Sequence, residues 1–578
     1  MNNQSPGYVG ARLKHARIPL LVLAVFGVFG ATLIFSFFDF DPHHDGYLLA
    51  AAIGVHEGNL LFRDVFTQYG PLTTWYQSLW IGLIPAYPAV ALRASHLALV
   101  FGTALLLGDL GRITSKRYGL SSTLTWTLSL FWLLSNDVFY GVAMLPWSSM
   151  LATFMIVAIT YLTVLAGNLN SERIVFGSLL MFLAGAILGL LPFARQSVGL
   201  IAIGALGFIG LVGFKGNFFS RRMLFSSFLG GVFGNGLVIV SLEITDSLGP
   251  WWSQSVLWPL QWLSESDEAS PVMSLLQLCG EYALFIIPIG ISVWFALTRR
   301  GNRILLISIV TVLTLLAVVG FPQFEPASHS PHGFGEALRT TWTSALLSMN
   351  IRFLQLVFVG LVFLLAISVL IVAGRALKNG WREIANIRSV FLGLALAALS
   401  QTVPISDTRH IWWAMPSLLI AAGSFAMSST SKTRIVPLAT PSVLVWLVSL
   451  GLTAGGNLFL VEREPYGSNT LAAGMFGRLG NVERLHAQTE FLTNSAGELR
   501  IFLVGDGHLS VIDGTYRSID AFFVSWGPTP DLSSRVRPGM EIVATSDGIA
   551  ELSRAEIATK VTSSQDDIEL YIVEVLGD

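Results

Sequence analysis

Charge is what this sequence has least of. Asp, Glu, Lys and Arg make up 12% of its 578 residues, about half the share usual in soluble domains. A chain built only of soluble domains is excluded. Cysteine is nearly absent: Cys279 stands alone, which rules out an intramolecular disulfide framework and any cysteine-rich metal centre. Neither sign of charge dominates, with 34 Lys and Arg against 36 Asp and Glu, so no basic balance points to nucleic acid. No internal repeat or low-complexity tract is visible, which argues against a transporter built from duplicated halves.

What fills the sequence instead is apolar: 53% hydrophobic residues, with 38 Phe and 16 Trp. Apolar runs of about twenty residues recur, each long enough to cross about 30 Å of hydrocarbon. They predict thirteen spans at 18–38, 89–111, 119–136, 148–167, 174–194, 198–214, 223–243, 278–298, 304–321, 352–373, 389–404, 411–428 and 438–460. The first follows Arg12, Lys14 and Arg17 and resembles a secretion signal. Yet it is longer than a signal core and ends in Asp39-Phe40-Asp41-Pro42 with no small-residue cleavage site, so it reads as a retained span.

The basic residues test this list independently. With the N-terminus cytoplasmic, 19 Lys and Arg fall in segments assigned to the inside. Six fall outside before residue 460: Arg63, Arg93, Arg195, Arg339, Arg352 and Arg409. Such a bias is what retention of basic loops on the cytoplasmic side produces, and losing one span would invert every later loop. The sequence thus predicts an α-helical polytopic protein of the plasma (inner) membrane, with residues 1–460 in the membrane and 461–578 outside. Past Glu462-Arg463-Glu464-Pro465 the chain is charged and mixed. Short β-rich runs at 499–504 and 570–573 and a helix-like stretch at 475–493 suggest a small extracytoplasmic α/β domain.

The first outer loop, about 39–88, carries most of the chemistry. It holds Asp39, Asp41, His43, His44 and Asp45, then Tyr47, Glu57, Gly58, Arg63, Asp64, Tyr69, Gly70 and Pro71. Asp45 is a candidate N-cap for a helix of about 46–57 that Gly58 would close, and Pro71 suits the first turn of a helix at about 71–83. Arg63-Asp64 suits a local ion pair as well as a substrate contact. Arg195 interrupts an apolar stretch between two spans, where a charge calls for a partner. Arg409 and His410 open the twelfth span beside Trp412 and Trp413, where an interfacial anchor is the plainer alternative. The loop at 244–277, with Trp251, Trp252, Trp258, Trp262, Glu265, Asp267 and Glu268, and the loop at 322–351, with His329, His332, Glu336 and Arg339, could each close over a substrate.

A first span, an acidic motif with Asp45-Gly46-Tyr47, an Ala-rich helix to Gly58, Arg63-Asp64 and Gly70-Pro71 together resemble the first outer loop of the GT-C glycosyltransferases. Among these are the protein O-mannosyltransferases and the lipid A aminoarabinose transferases. The resemblance covers residues 18 to about 85, and it extends to the plan of about thirteen spans, an outer C-terminal domain and an Arg before a late span. It implies a sugar transferase that uses a polyprenyl-phosphate donor and an extracytoplasmic glycan, lipid or protein acceptor, without a nucleotide site. It implies an acidic base in this loop: Asp45 first, or Asp41, because many relatives have Asp-Glu where this chain has Asp45-Gly46. It further implies that Arg409, followed by His410 where relatives have an aromatic residue, contacts the lipid-linked phosphate; Arg195, Arg63, Asp64, His44 and Tyr69 are the other candidate substrate-binding residues. No cofactor is required by the residues, although Asp39, Asp41 and His43 would be the ligands of a divalent metal. Two competing readings are a lipid-linked saccharide flippase, which needs charges lining a path through the spans, and an O-antigen ligase or polymerase, which needs its Arg and His in a large late loop.

Overall fold

In the computed structural model the chain is described at residues 6–114, 120–140, 144–169, 173–213, 219–257, 259–260, 275–283, 285–288, 314, 334–380, 384, 386–403, 407–426, 436–468, 470–495, 502–505, 521–523, 536–554, 556–565 and 570–576. It is mainly helical. The helices are α1 (Pro6–Phe35), α2 (Pro42–His56), α3 (Pro71–Leu83), α4 (Pro88–Thr114), α5 (Ser122–Leu134), α6 (Ser148–Gly167), α7 (Ile174–Ala194), α8 (Gln196–Gly213) and α9 (Arg221–Ile244). There follow α10 (Phe334–Asn379), α11 (Ile387–Leu399), α12 (Thr408–Ala426) and α13 (Val436–Leu460). Among the described residues, six helices are long and apolar enough to cross a membrane and four are shorter apolar helices. The chain is a multi-pass membrane protein.

A helix occupies eleven of the thirteen expected spans. The eighth and ninth, 278–298 and 304–321, lie mostly outside the described residues. The loop expected at 322–351 is shorter than the sequence suggested, because α10 already begins at Phe334. Many large apolar side chains on α1, α7, α9 and α10 are exposed, such as Leu23, Leu179, Phe228 and Leu370. Such faces suit lipid rather than water.

Polar seams supply specificity where apolar packing alone would not. The indole N–H of Trp132 on α5 donates to the backbone oxygen of Trp412 at 3.0 Å, and that of Trp412 on α12 donates to the backbone oxygen of Trp132 at 2.8 Å. The two rings stack with centroids 4.8 Å apart. On α6, the Thr153 hydroxyl donates to the Trp413 carbonyl at 2.9 Å. These reciprocal bonds fix one end of α5, α6 and α12 to each other.

The contact between α7 and α9 has another origin. A Cβ on Gly189 would stand 2.2 Å from the carbonyl oxygen of Gly231, and one on Gly230 would stand 2.0 Å from that of Phe182. Small residues four apart let two membrane helices touch backbone to backbone and gain dispersion that lipid cannot replace.

After α13, strands β1 (Arg463–Pro465) and β2 (Phe476–Arg478) form an antiparallel pair. Helix α14 (Leu479–Ser495) follows. A five-stranded sheet comprises β3 (Phe502–Gly505), β4 (Ala521–Phe523), β5 (Glu541–Thr545), β6 (Thr559–Gln565) and β7 (Leu570–Val575), with helix α15 (Ser546–Arg554) after β5. Its order is β4-β3-β5-β7-β6. The first three strands are parallel neighbours and the last two pair antiparallel. The helix expected at 475–493 starts later, because Phe476–Arg478 is strand β2.

The glycine seam gives a direct test. Gly189→Leu forces overpacking against a backbone that cannot yield, which should lower stability by about 1–3 kcal/mol or more. Gly204→Leu on α8, with nothing within 4 Å of its added carbon, should leave the melting temperature in detergent nearly unchanged. Equal melting of the two variants would contradict the seam.

Candidate active site

Helix α2 starts four residues earlier than the sequence suggested, and this reassigns its two acids. Pro42 is the first helical residue, where its missing N–H is no loss. Asp41 is therefore the N-cap: its backbone oxygen accepts from the Asp45 N–H at 2.9 Å, and its Oδ1 accepts from the His44 N–H at 3.3 Å. Asp45, expected as the cap, lies one turn inside. Its Oδ2 accepts from the Asp41 N–H at 3.0 Å and from a guanidinium N–H of Arg93 on α4.

The ion pair between Asp45 and Arg93 is almost wholly sealed, with side chains 0% and 1% exposed. Asp45 Oδ1, Arg93 Nε and Arg93 Nη1 are buried without a hydrogen-bond partner. Burial lifts the Asp45 carboxyl, Arg93 pulls it down and Asp41 pushes it back up, leaving it at about 6. A carboxylate with an unengaged oxygen and that proton affinity is suited to accept a proton near neutral pH. Asp41 is more open, 26% exposed, and its Oδ2 lies 2.7 Å from Nδ1 of His44.

The start of α12 meets this loop around Trp147, the half-buried residue before α6. Its indole centroid lies 5.5 Å from that of His44, 6.1 Å from Tyr69, 6.1 Å from His410 and 5.8 Å from Trp413. His410 repeats the arrangement of His44. Asp407 caps α12 by accepting the His410 N–H at 2.8 Å, and Nδ1 of His410 lies 2.6 Å from the same carboxylate oxygen.

Arg195, between α7 and α8, donates to the Ser149 hydroxyl on α6, while its Nε is buried without a partner. Arg409 Nε lies 3.6 Å from Oδ2 of Asp137, an acid in a single 3-10 turn, Asp137–Tyr140, after α5. Burial raises the Asp137 carboxyl to about 7 against the pull of Arg409. Gly70 is required for this convergence: a Cβ there would fall 1.9 Å from the Phe193 carbonyl oxygen at the end of α7.

The structure therefore brings Asp41, His44, Asp45, Tyr69, Arg195, Arg409 and His410 into one neighbourhood. Arg63 and Asp64 are a local pair, with Nε to Oδ1 at 3.0 Å and Arg63 half exposed. The metal set expected from Asp39, Asp41 and His43 is only partly described. Asp39 is committed to Arg463 at 2.8 Å and Arg478 at 3.3 Å, and the His43 side chain lies outside the described residues. No group of three His, Cys, Asp or Glu able to hold a metal ion occurs among the described residues. Of the two loops expected to close over substrate, 244–277 is undescribed at Trp258, Trp262, Glu265, Asp267 and Glu268, and 322–351 at His329 and His332. The side chains of Glu336 and Arg339 also lie outside the described residues.

Sequence reasoning missed Arg93, Asp137, Asp407 and Trp147. Asp137 left a signal: an acid directly after an apolar run, where charge is expensive without a task. Arg93 left a comparable one, as a lone cation in the second turn of a span.

No protein-family profile and no curated protein matches the chain. Solved structures do. The chain is similar to ArnT from Cupriavidus metallidurans in the apo state, at 13% identity and a TM-score of 0.41, covering 97% of this chain and 98% of that one. It is similar to the same protein bound to undecaprenyl phosphate, at 12% identity and a TM-score of 0.40, covering 96% and 97%. It is also similar to the Archaeoglobus fulgidus oligosaccharyltransferase in complex with Zn and sulfate, at 13% identity and a TM-score of 0.47, covering 91% and 67%.

The reassigned roles of the two acids are separable by stability. Asp41→Asn keeps an N-cap and should shift unfolding by less than about 1 kcal/mol. Asp45→Asn strands a buried guanidinium and should cost about 3–5 kcal/mol, most of it recovered in Asp45→Asn with Arg93→Met. Thermal melting in detergent measures all three; a larger loss for Asp41→Asn than for Asp45→Asn would reverse the assignment.

Proposed function

We propose that the chain is a GT-C-type membrane glycosyltransferase that moves a sugar from a polyprenyl-phosphate donor to an acceptor outside the cytoplasm. The observation that carries this reading is the carboxylate pair. Asp45 is buried, has its carboxyl raised by that burial to about 6 and has an unengaged oxygen. Asp41 lies beside it with part of its carboxylate open to solvent. Asp45 is the first choice of base and Asp41 the second. The base takes the proton of an acceptor hydroxyl, the acceptor oxygen attacks the anomeric carbon, and the bond from that carbon to the phosphate oxygen breaks. The phosphate leaves with the electron pair, so cations must face it.

Arg195 and Arg409 are those cations in this reading. Both border the Trp147 neighbourhood, and Arg suits a phosphate because its planar fork donates parallel hydrogen bonds and stays charged. Trp147 and Tyr69 supply aromatic faces of the kind sugars pack against. Residues 1–460 form the catalytic unit, and residues 461–578 lie outside and help to bind the acceptor. Orientation is supported by the 19-to-6 bias of basic residues and by geometry. The ends of α1, α5 and α7 and the starts of α4, α6 and α8 meet at this site, and strict alternation from α1 assigns all of them to one side.

Purified protein incubated with a panel of polyprenyl-phosphate sugars should release polyprenyl phosphate from at least one. Asp45→Asn with Arg93→Met should stay folded and lose about 10²–10⁴-fold in rate. Because the base must be ionised, wild-type turnover should fall as pH drops through about 6, the value to which burial raises Asp45. Full activity in that double variant together with loss in Asp41→Asn moves the base to Asp41.

Orientation has its own assay. A cysteine replacing Glu490, exposed on α14, should react with an impermeant thiol reagent in intact cells after Cys279 is replaced. Labelling only after lysis would place the C-terminal residues inside.

A further inference from the structure

The carboxylate pair follows directly on a short connection that is bonded to the C-terminal segment. Between the end of α1 at Phe35 and the start of α2 at Pro42, Asp39 adopts φ 53°. That left-handed conformation is uncommon for a residue with a side chain and persists only where surrounding contacts enforce it. The enforcing contacts come from the beginning of the C-terminal segment. Arg463 on β1 faces Asp39 with two nitrogens, Nη2 to Oδ2 at 2.8 Å and Nε to Oδ1 at 3.3 Å. The pair is largely buried, at 7% and 10% exposure.

Arg463 is itself anchored. It donates to the Asn457 carbonyl at 2.7 Å and to the Asn457 side-chain oxygen at 2.6 Å near the end of α13, and it lies over the Phe38 ring. Strand β2 adds backbone bonds on the same connection: the Phe476 N–H donates to the Phe37 carbonyl at 2.8 Å, and the Phe40 N–H donates to the Phe476 carbonyl at 3.4 Å. Tyr466 packs edge-on against Phe40, ring centroids 5.6 Å apart. Asp41 follows two residues after Asp39, so its carboxylate has little freedom independent of this clamp.

We propose that Arg463 is a positioning residue for the transfer reaction: by gripping Asp39 it sets the α1–α2 connection and hence the placement of the carboxylates of Asp41 and Asp45. The residues that bound the C-terminal segment to the membrane unit are thereby part of the working site rather than a linker. The proposal rests on the glycosyltransferase reading only for its catalytic consequence; its structural half stands on the clamp itself. A misplacement of about 1 Å in a catalytic group can lower a rate about 10²-fold, which sets the scale of the effect.

The test uses the full-length protein in detergent or nanodiscs, with Arg463→Ala, Arg463→Lys and Asp39→Asn. Asparagine tolerates the left-handed backbone of residue 39, so that variant removes the charge pairing without adding backbone strain. Two readouts are taken: amide hydrogen exchange over residues 37–47, and turnover with its KM for the lipid donor. Arg463→Ala and Asp39→Asn should speed exchange in that segment while α6 and α12 keep wild-type protection. Turnover should fall about 10–100-fold with donor KM within about threefold, and Arg463→Lys should recover part of it. Unchanged exchange over residues 37–47 would overturn the proposal, as would exchange rising equally in α6 and α12, which marks a merely structural role. If wild type turns over no polyprenyl-phosphate sugar, the functional reading fails, while the exchange data still decide whether Arg463 holds the connection.

Discussion

The arrangement of this protein's polar groups depends on one buried contact, the ion pair of Asp45 and Arg93. Taking a carboxylate and a guanidinium out of water is expensive, and the penalty is offset only if each holds the other in good geometry. Asp45 stands one turn into a helix of 15 residues, and Arg93 stands in the second turn of one long and apolar enough to cross a membrane. Their union fixes the connection between α1 and α4 to the helix bundle at a single register. It also explains why Asp45 stays sealed while Asp41, four residues earlier, remains partly open.

Around that contact the neighbouring helix ends are gathered by short-range devices of different kinds. The reciprocal bonds of Trp132 and Trp412 join α5 to α12 and so bring Asp137 opposite Arg409. The absent side chain of Gly70 lets the loop touch α7 next to Arg195. Asp41 and Asp407 each cap a helix and each hold a histidine one turn on, and both histidines border Trp147. The connection between α1 and α4 also shares an apolar core with the C-terminal segment, in which Phe40, Leu48 and Leu92 pack with Tyr466, Met475 and Val543. The β-rich segment is therefore fused to the loop rather than tethered to it.

The limits of the sequence reading follow from what each residue type reports. Pro71 and Gly58 marked helix boundaries well because their preferences are backbone properties that hold in any surroundings: α3 begins at Pro71, and Gly58 takes φ 95° just past α2. Asp45 misled because an acid before an Ala-rich run has the same local signature whether it caps the helix or lies within it. Pro42, which can open a helix, settled the matter in favour of Asp41. Asp39 was grouped with the loop acids as a metal ligand, yet its partners Arg463 and Arg478 are more than four hundred residues away. No local pattern encodes such a pairing.

By itself the sequence determined the class of the protein. A low charge fraction, apolar runs of membrane length and a one-sided distribution of Lys and Arg are consequences of transfer between water and hydrocarbon, and that energetics acts on each segment separately. It also determined which loop holds the acids, because an acidic cluster beside a span is conspicuous against an apolar background. Only the tertiary structure decided how those acids differ. Burial, the partner that each carboxylate finds and the spacing of cations across Trp147 are properties of contacts between segments far apart in the chain. The proton affinity of Asp45 is set by the loss of water around it and by Arg93 in another helix, and neither can be read from the residues on either side of it.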